Sequence, residues 1–122
     1  MLEKKTPRLL MRRLIGKFRR AAIVYHYGAY DEDHAITRAG GRAVHRAVKA
    51  IEVCAYEGRL ALLPLLDDPD PCVRVFAAGF LVKITPERAL PVLQDIKESW
   101  EVMQCRTASE MLFKYGKGEL NM

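Results

Sequence analysis

The segment Leu62-Leu63-Pro64-Leu65-Leu66-Asp67-Asp68-Pro69-Asp70-Pro71 runs directly into Cys72-Val73-Arg74-Val75-Phe76-Ala77-Ala78-Gly79-Phe80-Leu81. Two apolar runs flank a stretch that cannot continue either of them. Its prolines lack the backbone N–H that a helix needs, and its short acids favour turns. Asp70 suits an N-cap, and Pro71 suits the first helical position. The spacing predicts a short helix over Leu60 to Leu66, a tight turn, and a second helix over Pro71 to Ile84. Val73, Phe76, Ala77, Phe80 and Leu81 fall on one side of that second helix.

The rest of the chain reads in the same way. Thr6-Pro7 is a helix-start signal. After it, Leu10, Leu14, Phe18, Ala21, Ala22 and Tyr25 recur at three- and four-residue spacing, with Gly28 as the expected stop. Gly16 either weakens this helix or permits close packing. Asp31-Glu32-Asp33 supplies acids before a second long helix, about Asp33 to Tyr56, in which Ala39-Gly40-Gly41 marks an expected kink or break. Its apolar face is Ala43, Val44, Ala47, Val48, Ile51, Cys54 and Ala55, and Gly58 follows as a stop. Thr85-Pro86-Glu87 repeats the cap-plus-proline signal before a helix of about Pro86 to Glu98. A last helix, about Trp100 to Tyr115, carries Met103, Ala108, Met111, Leu112 and Phe113, and Gly116 and Gly118 end it. No segment alternates like a half-buried strand. The expectation is an all-α chain of about six helices, with neighbours antiparallel across short turns.

The C-terminal half echoes itself. Leu63-Pro64-Leu65-Leu66 matches Leu90-Pro91-Val92-Leu93. Likewise Cys72-Val73-Arg74-Val75-Phe76-Ala77-Ala78 matches Gln104-Cys105-Arg106-Thr107-Ala108-Ser109-Glu110. The prolines are 27 residues apart and the arginines 32, so the second unit has a longer turn. Residues from about Leu60 to Gly116 are similar to HEAT-like repeats. More specifically, residues from about Ile15 to Leu120 resemble a small bacterial family of HEAT-like proteins classed as a domain of unknown function. Leu62 to Asp67, Val73-Arg74, Ala77-Ala78, Pro86-Glu87-Arg88-Ala89 and Ala108-Ser109-Glu110-Met111-Leu112 carry the resemblance. It implies a short α-solenoid of antiparallel hairpins and a cytoplasmic interaction protein without established activity. The expected organisation is one domain, residues 1–122. Residues 1–59 supply basic N-terminal helices, and residues 60–116 supply two degenerate HEAT-like hairpins. Proteins of this general build also occur as immunity partners of secreted bacterial toxins.

Charge divides the chain. Residues 1–59 hold thirteen Lys/Arg against six Asp/Glu, whereas residues 60–122 hold seven against nine. A basic half points to a negative partner. Arg38, Arg42, Arg46 and Lys49 fall within about 80° on one helix face, and no acid interrupts residues 35–51. Arg12 and Lys17 on the first helix extend the candidate face. An acidic protein surface is the expected partner, and nucleic acid is the alternative. Tyr25, Tyr27 and Tyr30 are the candidate stacking groups for the latter. Arg74 and Arg106 sit where HEAT-like proteins place a stapling arginine, within reach of the turn acids Asp67, Asp68 and Asp70.

Chemistry finds little support. His26, His34 and His45 lack the spacing that puts two imidazoles on one metal. His34 with Asp31 and Asp33 reads better as helix capping. Ser99 and Ser109 lie in no nucleophile elbow, and Gly40-Gly41 precedes no phosphate-binding signature. HEAT-like DNA glycosylases are much longer, and their catalytic acid has no recognisable counterpart. Cys54, Cys72 and Cys105 are odd in number and widely spaced, which argues against disulfides or zinc and for small buried hydrophobes. No secretory signal is expected, because the first twenty residues carry eight basic side chains and no apolar core. No apolar run is long enough for a membrane span. No enzyme, cofactor or metal site is expected.

Overall fold

A computed structural model describes residues 8–122. The Thr6-Pro7 helix start and the lysines before it lie outside the described residues. Among these, the chain is all-helical, with five α-helices and one 3-10 segment and no strand. None of the helices is long and apolar enough to cross a membrane. The chain forms two compact units that meet in sequence at Leu62 and Leu63.

The first unit is a helical hairpin of α1 (Arg8–Tyr30) and α2 (His34–Cys54). Two glycines set how closely its helices approach. A Cβ on Gly28 would lie 2.7 Å from the Thr37 backbone nitrogen, and one on Gly40 would lie 2.7 Å from that of Tyr25. In both pairs the residue numbers sum to the same value, as antiparallel helices in register require. Gly40 does not break α2, which runs on through Gly41. The sequence pattern suggested a break because it shows the propensity cost of glycine but not the neighbour that needs the space. Gly16 makes no such close approach. Only the Arg20 side chain of its own helix comes near, at 3.4 Å.

The core of this hairpin includes Leu14, Phe18, Ala22, Val44, Val48 and Ile51. His26, absent from the expected stripe, is also buried. Its Nδ1 donates to the Ala22 carbonyl at 3.1 Å, and its ring meets Tyr25 edge-on. The helix runs past the expected stop at Gly28 and ends in a Schellman motif. The Asp33 N–H donates to the Gly28 carbonyl at 2.8 Å, and that of Glu32 donates to Ala29 at 3.3 Å. Glu32 takes the left-handed position, with φ 56°, where glycine is usual. Asp33 then caps α2, its Oδ1 accepting from the Ile36 N–H at 3.0 Å. Replacing Glu32 by glycine should stabilise the hairpin by roughly 0.5–1 kcal/mol, the steric relief exceeding the added chain entropy. Thermal unfolding followed by circular dichroism measures this, and a lower midpoint would contradict the strain.

The short helix expected over Leu60 to Leu66 is present as a 3-10 segment, Gly58–Asp67. Pro64 cannot donate, and its ring crowds the carbonyl four residues back, which disfavours the α pattern and leaves the tighter three-residue one. Leu62, Leu65 and Leu66 are still buried.

The second unit contains α3 (Pro71–Leu81), α4 (Pro86–Lys97) and α5 (Val102–Gly116), and α3 packs against both of the others. The acidic turn folds on its own side chains. Asp68 Oδ1 accepts from the Asp70 N–H at 2.9 Å, and Asp70 Oδ1 accepts from the Cys72 N–H at 2.8 Å. This confirms Asp70 as the cap, with Pro71 in the first turn. Thr85 does not cap α4 with its side chain; its hydroxyl donates to Glu87 Oε1 at 2.7 Å. That bond, the larger cause, holds the exposed Glu87 carboxyl below its ordinary pKa. α3 is buried on nearly every side from Cys72 to Leu81, with Arg74 the exception, rather than on a single stripe. A helix apolar all round is an interior helix. α5 ends in a second Schellman motif, closed by Gly118 at φ 72° and by the Glu119 N–H donating to the Lys114 carbonyl at 2.8 Å.

Candidate partner-binding face

Packing in the hairpin orients α2. Its inner face is centred on Gly40, Val44, Val48 and Ile51, all buried, and Ala47 at its edge is buried with them. Each of the central four is preceded by an alanine, and each alanine by a cation: Arg38-Ala39-Gly40, Arg42-Ala43-Val44, Arg46-Ala47-Val48 and Lys49-Ala50-Ile51. One residue is a rotation of about 100°. The helix therefore carries three parallel bands: core, alanine and cation. The recurring triplet is the sequence signal for this arrangement, and inspection of the cations alone passes over it.

All six predicted site residues, Arg12, Lys17, Arg38, Arg42, Arg46 and Lys49, are exposed. Among the described residues none forms an ion pair. Nearby acids are engaged elsewhere: Glu52 Oε1 receives Arg59 Nη2 at 2.9 Å, and Asp33 caps α2. Arg38, Arg42, His45 and Arg46 line one shallow depression. His45 has a lowered pKa, first because its surroundings partly desolvate it and then through the Arg59 and Lys49 charges. It is thus a neutral ring among cations at pH 7.

Lys17 and Arg46 line a different feature, an open groove of about 570 Å³ between α1 and α2. Arg20, not singled out as a site residue from sequence, is there too. Arg12 and Lys49 line neither depression. On α1 Arg12 lies about 140° around from Lys17, so the structure does not gather the six into one patch. Arg46 alone borders both depressions.

No protein-family model, curated protein or solved structure matches this chain.

The remaining candidates have structural roles. Arg74 Nη1 donates to the Asp68 carbonyl at 2.7 Å, bracing the turn through its backbone. Arg106 is exposed and makes no such contact among the described residues. In its place Gln104 reaches α3, donating to Cys72 Sγ at 2.9 Å. Burial is the main reason the Cys72 thiol is pushed up to about 11, so it stays protonated at neutral pH. Of the three cysteines only Cys72 is buried; Cys54 and Cys105 are half-exposed, and all three are free. Among the described residues no three His, Cys, Asp or Glu side chains cluster as a metal site would require.

Proposed function

We propose that this chain is a non-enzymatic protein-interaction module of HEAT type, a regulatory or immunity partner of another protein in the bacterial cytoplasm. It docks an acidic protein surface on the basic face of α2. Arg38, Arg42, Arg46 and Lys49 make the contact, and Lys17, which shares a groove with Arg46, extends it; Arg12 lies on another side of α1 and takes no part. The observation that carries the reading is that these cations stand exposed with no carboxylate partner among the described residues. Like charges four residues apart repel by a few tenths of a kcal/mol per pair. A partner carboxylate relieves that repulsion and steers encounter.

Support for the HEAT-type build comes from the register of the internal echo. The echo aligns Cys72 with Gln104, and those two side chains touch. Stacked repeats bring equivalent positions of equivalent helices side by side in this way. The apolar floor beside the cations favours a protein over nucleic acid, since a phosphodiester chain gains nothing from alanine and valine. Exposed Tyr27 and Tyr30 are the stacking groups a nucleic-acid binder would use.

Affinity capture from lysate of the source cells, with and without nuclease, tests this. The triple variant Arg38→Glu/Arg42→Glu/Arg46→Glu runs alongside. One stoichiometric protein that survives nuclease and is lost in the variant is expected. Nuclease-sensitive recovery, with affinity falling at a slope of about 0.9 per neutralised phosphate against log salt, would establish nucleic acid instead. Identical capture by both proteins would show the cations to be solvated surface.

A further inference from the structure

We infer that the groove between α1 and α2 receives an amphipathic helix of the partner, about three turns long, with an apolar stripe flanked by Asp or Glu. The inference rests on the partner-binding reading above and specifies the shape and chemistry of what binds.

The groove lies wholly within the hairpin. One wall is the alanine band of α2: Ala39, Ala43 and Ala50, with the buried Ala47 at its floor. On α1 the other wall is Val24, 42% exposed, above the buried Leu14 and Ala21. A wall of alanines is smooth and shallow, so a third helix can settle against both helices at the usual interaxial distance of about 8–10 Å. From Ala39 to Ala50 the wall is about 16 Å long at 1.5 Å per residue, or three helical turns. An apolar face recurring at three- and four-residue spacing fills such a groove.

Charge selects the flanks of that helix. Lys17 and Arg20 border the groove from α1, and Arg46 borders it from α2. No acid lines it, and among the described residues none of the three has an ion-pair partner. Beyond Arg46 the cation band continues along the outer side of the alanine wall. Carboxylates on both sides of the apolar stripe would therefore be met, whereas basic flanks would be repelled. A second copy of the hairpin would itself bring an excess of cations, so self-association does not satisfy the charge.

Panning a displayed library of randomised helices against the full chain tests the inference. Selected sequences are expected to carry apolar residues at i, i+3, i+4 and i+7 with Asp or Glu beside them. Synthetic peptides of those sequences, measured by fluorescence anisotropy, should lose roughly tenfold or more in affinity for Ala43→Trp, which fills the groove. Their Glu→Gln versions should weaken similarly. Ala39→Trp serves as a second groove-filling variant, and an unchanged thermal melt shows that each protein remains folded. Acidic peptides that bind the Trp variants as tightly as the wild type, yet are lost in Arg38→Glu/Arg42→Glu, would overturn the groove and leave the basic-face reading standing. Selection of no helical binders would overturn the groove inference alone, and selection of peptides without acids would overturn both.

Discussion

Gly40→Ala is expected to destabilise the hairpin by about 2 kcal/mol, while Gly41→Ala, one residue away, stabilises it. On helix propensity alone both should gain up to about 1 kcal/mol. At Gly41 the new Cβ meets the Tyr25 ring at 3.7 Å, an ordinary contact, and the gain survives. At Gly40 it meets the Tyr25 nitrogen at 2.7 Å and Cα at 2.8 Å. These are backbone atoms of a helix and have no rotamer to escape into. The two helices must separate, and overpacking of this kind costs about 1–3 kcal/mol or more. Urea unfolding of both variants by circular dichroism reads the difference. Equal stabilisation by the two alanines would show that the helices do not approach as closely as the structure has them.

Phe80→Ala should cost about 3–5 kcal/mol, the range for emptying a buried aromatic site. Phe80 is 1% exposed on a helix buried almost all round, so little can collapse into the space without moving α4 or α5. Such a loss is a large share of the ~5–15 kcal/mol that stabilises a typical domain, so partial unfolding at 37 °C is expected. Phe113→Ala is the matched comparison. Its ring is 65% exposed, with the Lys117 ammonium 4.9 Å from its centroid. It should cost under about 1 kcal/mol, most of it the lost cation–π contact. Comparable losses for the two would mean that Phe113 is covered in solution.

That contrast shows what pattern-reading reaches. Phe80 and Phe113 both sit among apolar residues at helical spacing, and the sequence places both on apolar faces. Only α3 is enclosed, because α4 and α5 both pack on it. Arg74 was expected to brace the acidic turn and does so, through the Asp68 carbonyl. Arg106, its echo, has no comparable turn to reach, because the second unit has a different connection before its helix. The candidate cations were legible one by one. Ala43 and Ala47 were legible as apolar-face residues, but that they border one groove with Lys17 and Arg20 was not, since this depends on where α1 lies.

Local chemistry by itself determined the helical class, the break at Asp67–Pro71, the caps at Asp33 and Asp70, and the cationic stripe of α2. Each follows from a preference acting within a few residues: a missing N–H, a short acid beside an orphan donor, or a 3.6-residue period. Tertiary packing decided that Gly40 joins rather than divides, that His26 is core, that α3 is buried around its circumference, and that a cation-edged apolar groove lies between α1 and α2. Those features require atoms far apart in the chain to share space, and close approach is set by both surfaces at once.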